Sequence, residues 1–195
     1  MTSNTHSESQ ATSVQPKQYD ALAKGFHWVM AVLLVSVFGL GLYMQGLPFS
    51  PDKLKLYSWH KWAGICVLGL VTLRLIWRLT HRPPAMPGEM PAWQKLAAHV
   101  GHLALYVLMF AIPVSGWLMS SAKGVPTVLF GLWPLPDLVA RDQELGDALQ
   151  NLHWYLNISL ALFVLTHILA ALKHHFLDQD DILKRMLPRA RVRKT

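Results

Sequence analysis

The chain has 195 residues, of which 52% are hydrophobic and only 15% charged, and its mean hydropathy is +0.27. Soluble domains carry charge on about a quarter of their residues, so this composition excludes an ordinary soluble domain and indicates a membrane protein. Much of the net charge of +7 lies between Lys184 and Lys194, after an apolar segment. That position predicts a basic anchor at the membrane surface, with the lipid bilayer and not nucleic acid as partner.

The chain begins with residues 1–19, which are rich in Ser, Thr and Gln and contain no apolar core. This composition predicts a disordered N-terminal tail without a cleavable signal peptide. The single cysteine, Cys66, lies in an apolar run. One cysteine excludes a disulfide within the chain and a cluster of thiolate metal ligands.

Four apolar segments follow, each long enough to cross a bilayer core of roughly 30 Å. They cover about residues 25–44, 59–79, 100–119 and 152–172. None contains Asp or Glu, and Arg74 is the only arginine well inside a segment. The pattern predicts an all-α fold, an integral membrane four-helix bundle over residues 20–177, followed by a basic cytoplasmic tail over residues 178–195.

Helix-start signals precede three of the segments. Asp20 is the expected N-cap of the first helix, Ser50 and Pro51 begin the second, and Pro91 begins the third. The longest connection is expected from Ser120 to about Gln150, where prolines and four acidic residues accumulate.

The distribution of basic residues predicts the orientation. Twelve lie in the N-terminal tail, in the connection between the second and third segments and in the C-terminal tail. This excess predicts that both termini lie on the cytoplasmic side of a bacterial inner membrane. They are Lys17, Lys24, Arg78, Arg82, Lys95, Lys173, Lys184, Arg185, Arg189, Arg191, Arg193 and Lys194. Five lie on the other side: Lys53, Lys55, Lys61, Lys123 and Arg141.

Two histidines of the fourth segment, His153 and His167, are fourteen residues apart. At about 100° and 1.5 Å per residue, they share one helix face and lie about 21 Å apart along the axis. With the orientation above, His153 is near the outer face and can meet His60, whereas His167 is near the inner face and can meet His27. Each pair would supply two axial imidazoles to a planar macrocycle, and six-coordinate iron suits electron transfer.

These histidines also allow two hypotheses without haem. A single histidine at a helix end is commonly an interfacial polar group that binds no metal. Zinc is the competing metal, but it normally gathers three or four ligands around one point, whereas these residues divide into two distant pairs.

The chain resembles the bacterial di-haem cytochrome b561 family from about Tyr19 to its end, and in particular the superoxide oxidase branch of that family. The motifs that carry the resemblance are Phe26-His27-Trp28, His60-Lys61-Trp62-Ala63-Gly64, Leu73 to Leu79, His99-Val100-Gly101-His102-Leu103 with Tyr106, Pro113-Val114-Ser115-Gly116, Phe130-Gly131-Leu132, His153-Trp154 through His167, His174-His175-Phe176 and Leu183 to Arg189. The resemblance implies two b haems held by His27, His60, His153 and His167. It also implies oxidation of a donor, superoxide or a redox partner protein, at the outer face and reduction of ubiquinone.

Four further side chains are candidates for cofactor contacts. Arg74 shares a helix face with His60 at the depth of the inner pair, so it can pair with a haem propionate or face the quinone; the alternative is extension towards the cytoplasmic interface. His99, His102 and Tyr106 form one stripe of the third helix and could bind and protonate a quinone. A solvated cluster at a helix end would look the same in the sequence.

A non-catalytic electron-transfer subunit, serving a partner dehydrogenase or hydrogenase, is the alternative function.

Overall fold

The structure, a computed structural model, describes residues 18–86 and 90–188. Its elements in chain order are α1 (Ala21–Gln45), α2 (Pro51–Thr80), α3 (Ala92–Ala122), β1 (Val128–Leu129), β2 (Trp133–Pro134), α4 (Gln143–Phe176) and α5 (Ile182–Met186). Of the predicted disordered tail, only residues 18 and 19 are among the described residues. The basic residues from Arg189 onward also lie outside them.

The four long helices are the four predicted spans. Each contains a window apolar enough to cross a membrane, and the predicted caps form. The Asp20 carboxylate accepts from the Ala23 amide at 2.8 Å, and the Ser50 hydroxyl accepts from the Lys53 amide at 3.2 Å. Although partial burial opposes it, hydrogen bonds from Ala23 and from the Trp77 indole lower the pKa of Asp20.

The connection after α3 is shorter than the sequence predicts. The helix α3 continues to Ala122, and α4 begins at Gln143, about two and a half turns before the predicted segment. The Asp142 carboxylate caps α4 by accepting from the Leu145 amide at 3.0 Å. The polar first turns of α4 lack the apolar signal by which a span is recognised, although an N-cap and good helix formers are sufficient for a helix there.

The helices do not all pack against each other equally. The helix α3 packs along α4, and α2 packs against both α1 and α3, whereas α4 has no extensive backbone packing against α1 or α2 in the described residues. The buried core is a layer at mid-height of the bundle, made of Met30, Val71, Leu108, Met109 and Leu160. Side chains on the outer faces are also apolar, as expected where lipid is the surrounding solvent.

The two ends of the bundle are closed differently. At the hairpin end, defined by β1 and β2, the Trp62 indole donates to the Val128 carbonyl at 2.7 Å. At the tail end, where the described chain begins and ends, the short helix α5 folds back and the Trp28 indole donates to the Met186 carbonyl at 3.0 Å. A folded segment therefore covers each end of the bundle.

Candidate cofactor sites

Two pairs of histidine rings face each other across the gap between α4 and the first two helices. At the hairpin end, the ring centres of His60 on α2 and His153 on α4 are 6.3 Å apart. At the tail end, the ring centres of His27 on α1 and His167 on α4 are 6.2 Å apart. These are the partners that helix phase and depth predict; their role as iron ligands stays a prediction.

The ring separations fit imidazoles on opposite sides of one metal ion. With a metal–nitrogen bond of about 2.0–2.1 Å and a ring centre roughly 1 Å further on, two such rings are about 6 Å apart. The missing backbone packing between α4 and the first two helices leaves a gap at the hairpin-side pair, where His60 and His153 line a cavity. The donor set therefore fits a planar cofactor at each pair, and the hairpin-side pair also has the adjoining space.

The hairpin-side pair, His60 and His153, lines a cavity of about 310 Å³. Both rings lie against glycine backbone: a Cβ at Gly41 would be 3.2 Å from His60 Cε1, and one at Gly116 would be 3.1 Å from His153 Cε1. Gly64 also lines the cavity, and a Cβ there would meet nothing within 4 Å. The absence of side chains at these positions makes room for the rings and the cavity.

The two rings of the hairpin-side pair differ in their hydrogen bonds. The Nδ1 atom of His153 is 3.1 Å from the Ile112 carbonyl and 3.0 Å from the Ser115 hydroxyl. The Nδ1 atom of His60 is buried and makes no well-formed hydrogen bond among the described residues, while the Val37 backbone interacts with the His60 ring. A hydrogen bond at one ring nitrogen orients a metal-binding histidine and leaves the other nitrogen free.

The tail-side pair, His27 and His167, has two further neighbours. Arg74 Nη2 is 3.1 Å from His27 Nδ1, and its guanidinium carbon is 5.7 Å from the centre of the Tyr106 ring. The ring of His102 on α3 is 5.5 Å from that of His167. Arg74 and His102 therefore both belong to the surroundings of the tail-side pair.

Two spaces adjoin this end of the bundle. A cavity of about 420 Å³ is lined by Arg74, Arg78 and Tyr106 at the ends of the helices that are predicted to be cytoplasmic. A more open groove of about 640 Å³ is lined by His99, His102, Tyr106 and Arg78. Arg78 and Tyr106 separate the two spaces, and the predicted stripe of His99, His102 and Tyr106 does share one wall.

Sequence reasoning missed three contributors to the hairpin-side pair: Gly41, Gly116 and the hydroxyl of Ser115. Ser115 and Gly116 lie in the Pro113 motif that contributes to the resemblance, so the motif signalled the place but not the role. A glycine and a serine in a membrane helix are common without any site, and only the position of α4 shows that they contact His153.

The fold and the site together define an integral membrane four-helix bundle with paired imidazoles between its helices. The sequence profile described as "Prokaryotic cytochrome b561" matches residues 18–189. The chain belongs to this family, whose members bind b-type haem and transfer electrons. It is a multi-pass bacterial membrane protein.

Individual relatives cover nearly the whole chain. "Cytochrome b561 homolog 2" of Escherichia coli (strain K12) is 39% identical over 176 residues, which are 88% of this chain and 92% of that protein. "Probable superoxide oxidase CybB" of Yersinia pestis is 33% identical over 181 residues, 90% of this chain and 98% of that protein. "Cytochrome b561 homolog 1" of Escherichia coli (strain K12) is 31% identical over 166 residues, 84% of this chain and 93% of that protein.

Proposed function

We propose that the protein holds two b haems, one between His60 and His153 and one between His27 and His167. The observation that carries the proposal is the pair of ring separations, 6.3 and 6.2 Å, at two levels of one bundle. Bis-histidine haems supply one-electron redox chemistry without an open coordination position. The chain supplies the ligands, the apolar surroundings and the separation of about 21 Å along α4.

The hairpin end is the outer end in this proposal, and both termini are cytoplasmic in the bacterial inner membrane. The excess of basic residues at the tail end supports this orientation. Electrons then enter near His60 and His153 and leave near His27 and His167, so the protein connects an outer donor to an acceptor at the cytoplasmic side.

Ubiquinone is the proposed acceptor, with its head group in the groove lined by His99, His102 and Tyr106. The groove supplies hydrogen-bonding side chains to the quinone carbonyls and apolar contacts to its tail. His102 is the member of this set nearest the tail-side pair, since its ring contacts His167. Arg74, beside His27, is the proposed partner of a haem propionate because its guanidinium carries a permanent positive charge at that depth.

Superoxide is the proposed donor. Support comes from the 33% identical relative named as a probable superoxide oxidase. The balanced reaction oxidises two superoxide ions to two molecules of oxygen and reduces one ubiquinone to ubiquinol with two protons. The protein would then act as a superoxide:ubiquinone oxidoreductase.

The specific observation in favour of a partner-dependent electron carrier is the charge of the hairpin-end loop. Between Ser120 and Gln150 the sequence has four acidic residues, Asp137, Asp142, Glu144 and Asp147, and two basic ones, Lys123 and Arg141. One of these cations is already paired, since Lys123 Nζ is 3.0 Å from Asp147. An acidic loop weakens the steering of an anion and suits a basic redox protein.

Pulse radiolysis of the purified protein separates the two functions. We expect superoxide to reduce the protein at a near-diffusional rate and, with added ubiquinone, to support repeated turnover. Slow reduction that requires a co-purified protein would reject superoxide as donor and favour the carrier function. A reduced-minus-oxidised spectrum without b-type bands would contradict both.

Lys61 offers a local test of superoxide steering. Lys61 lines the hairpin-side cavity, and its ammonium donates to the Val125 carbonyl at 2.9 Å. We expect Lys61→Gln to slow reduction by superoxide by about two- to fivefold at low ionic strength, because one attracting charge at the entrance is lost. The difference should shrink as salt is added.

The matched control is Lys123→Gln, since the ammonium of Lys123 is paired with Asp147. It should change the superoxide rate less than Lys61→Gln. Equal rates for wild type and Lys61→Gln at low salt would show that Lys61 does not steer the donor.

A further inference from the structure

Three adjacent groups of α3 hold the ring of His153. The Ile112 carbonyl is 3.1 Å and the Ser115 hydroxyl 3.0 Å from Nδ1, and Gly116 lets the ring edge approach the helix backbone. Ser115 is 4% exposed, so water does not replace its hydroxyl readily. The contact therefore joins a buried polar side chain to one proposed iron ligand.

The chemistry of these partners determines which nitrogen of His153 carries the proton. A carbonyl oxygen can only accept, so Nδ1 beside the Ile112 carbonyl must be the N–H donor. The Ser115 hydroxyl donates its own hydrogen to the same carbonyl at 2.8 Å. Its oxygen lone pairs then share the single Nδ1–H with the Ile112 carbonyl, and Nε2 keeps the lone pair that a metal requires.

We propose that Ser115 is a positioning residue that tunes the hairpin-side site through His153. By accepting from Nδ1–H, the hydroxyl increases the electron density of the imidazole, which stabilises ferric over ferrous iron. Ser115 acts on the His153 side of the pair, since its hydroxyl contacts the Nδ1 atom of that ring. The inference rests on the proposed haem between His60 and His153.

The test is a redox titration of the full-length holoprotein carrying Ser115→Ala, with the two haems followed separately by their low-spin electron paramagnetic resonance signals. We expect the equilibrium constant for reduction of the hairpin-side haem to rise about two- to fivefold, less than a full hydrogen bond because the Ile112 carbonyl still accepts from Nδ1. The tail-side haem should not change. Retention of the hairpin-side haem should weaken by about tenfold or more.

The matched control is Ser36→Ala. Ser36 donates to the Val32 carbonyl at 2.9 Å on the exposed face of α1, so a similar intrahelical bond is lost at a serine whose recorded hydrogen bond does not involve a histidine. Ser115→Cys keeps the approximate volume with a weaker acceptor and should shift the same haem in the same direction. Ser115→Thr keeps the hydroxyl and should restore the wild-type value; these two variants carry the test if Ser115→Ala does not fold.

The outcomes separate this inference from the proposed function. If His153→Ala retains both haems, the ligand assignment is wrong. If His153→Ala loses one haem but Ser115→Ala and Ser115→Cys leave its equilibrium constant unchanged, Ser115 has no tuning role. Equal shifts of both haems, or an equal shift in Ser36→Ala, would also overturn the inference.

Discussion

Replacing His153 or His60 with alanine is expected to halve the haem content by removing the hairpin-side haem and leaving the other in place. Each substitution deletes one proposed ligand, and the aromatic contacts of the described residues bring no third imidazole to this pair. The tail-side pair is about 21 Å away along α4, so its ligands are untouched. The measurement is haem per protein, together with the spectrum of the remaining haem.

The control is His81→Ala. The His81 ring stacks on Trp77, with ring centres 3.6 Å apart, and belongs to neither pair. The His81→Ala variant should retain both haems. Loss of both haems from His60→Ala or His153→Ala, or retention of both, would contradict the pairing of these two residues.

The tail-side pair leads to the second prediction, because three imidazoles meet there. The ring centres of His27 and His102 are 6.2 and 5.5 Å from that of His167. The longer distance is the nearer of the two to the separation of about 6 Å expected for two ligands of one metal, and His27 is the partner of His167 in the proposed pairing. His27→Ala should therefore lose the tail-side haem, whereas His102→Ala should retain both haems.

The role proposed for His102 predicts a separate kinetic defect. With both haems present, His102→Ala should reduce ubiquinone about 10²-fold more slowly, because a group that supplies protons to the reacting quinone is missing. His81→Ala is the comparison, since the His81 ring stacks on Trp77 and does not line this groove; its rate of ubiquinone reduction should stay close to that of the wild type. If His102→Ala lost the tail-side haem and His27→Ala retained it, His102 and not His27 would be the ligand that pairs with His167.

Much of this architecture could be predicted from the sequence. A helix that crosses lipid must satisfy its backbone hydrogen bonds internally and remain apolar for its whole length, so the four spans are visible as runs of residues. The N-caps at Asp20 and Ser50 could also be predicted, because each is a hydrogen bond to an amide only three residues further along the chain. The start of α4 at Gln143 was not predicted, because its first turns lie beyond the apolar segment and look like a loop by composition.

The contacts around the histidines could be predicted only in part. Regular helix geometry alone places His153 and His167 on one face and about 21 Å apart. The approach of His102 to His167, and of Arg74 to His27, depends on how each helix is rotated towards its neighbours. Helices with apolar side chains on all sides have no polar stripe that would reveal that rotation.

The sequence by itself therefore determined the spans, the depth of each histidine and the phase of the pair on α4, because these follow from the rise and turn of a single helix. The tertiary structure alone decided that Ser115 and the Ile112 carbonyl meet His153, and that α4 stands apart from α1 and α2. Such contacts depend on packing between helices distant in sequence, which periodicity within one helix does not record.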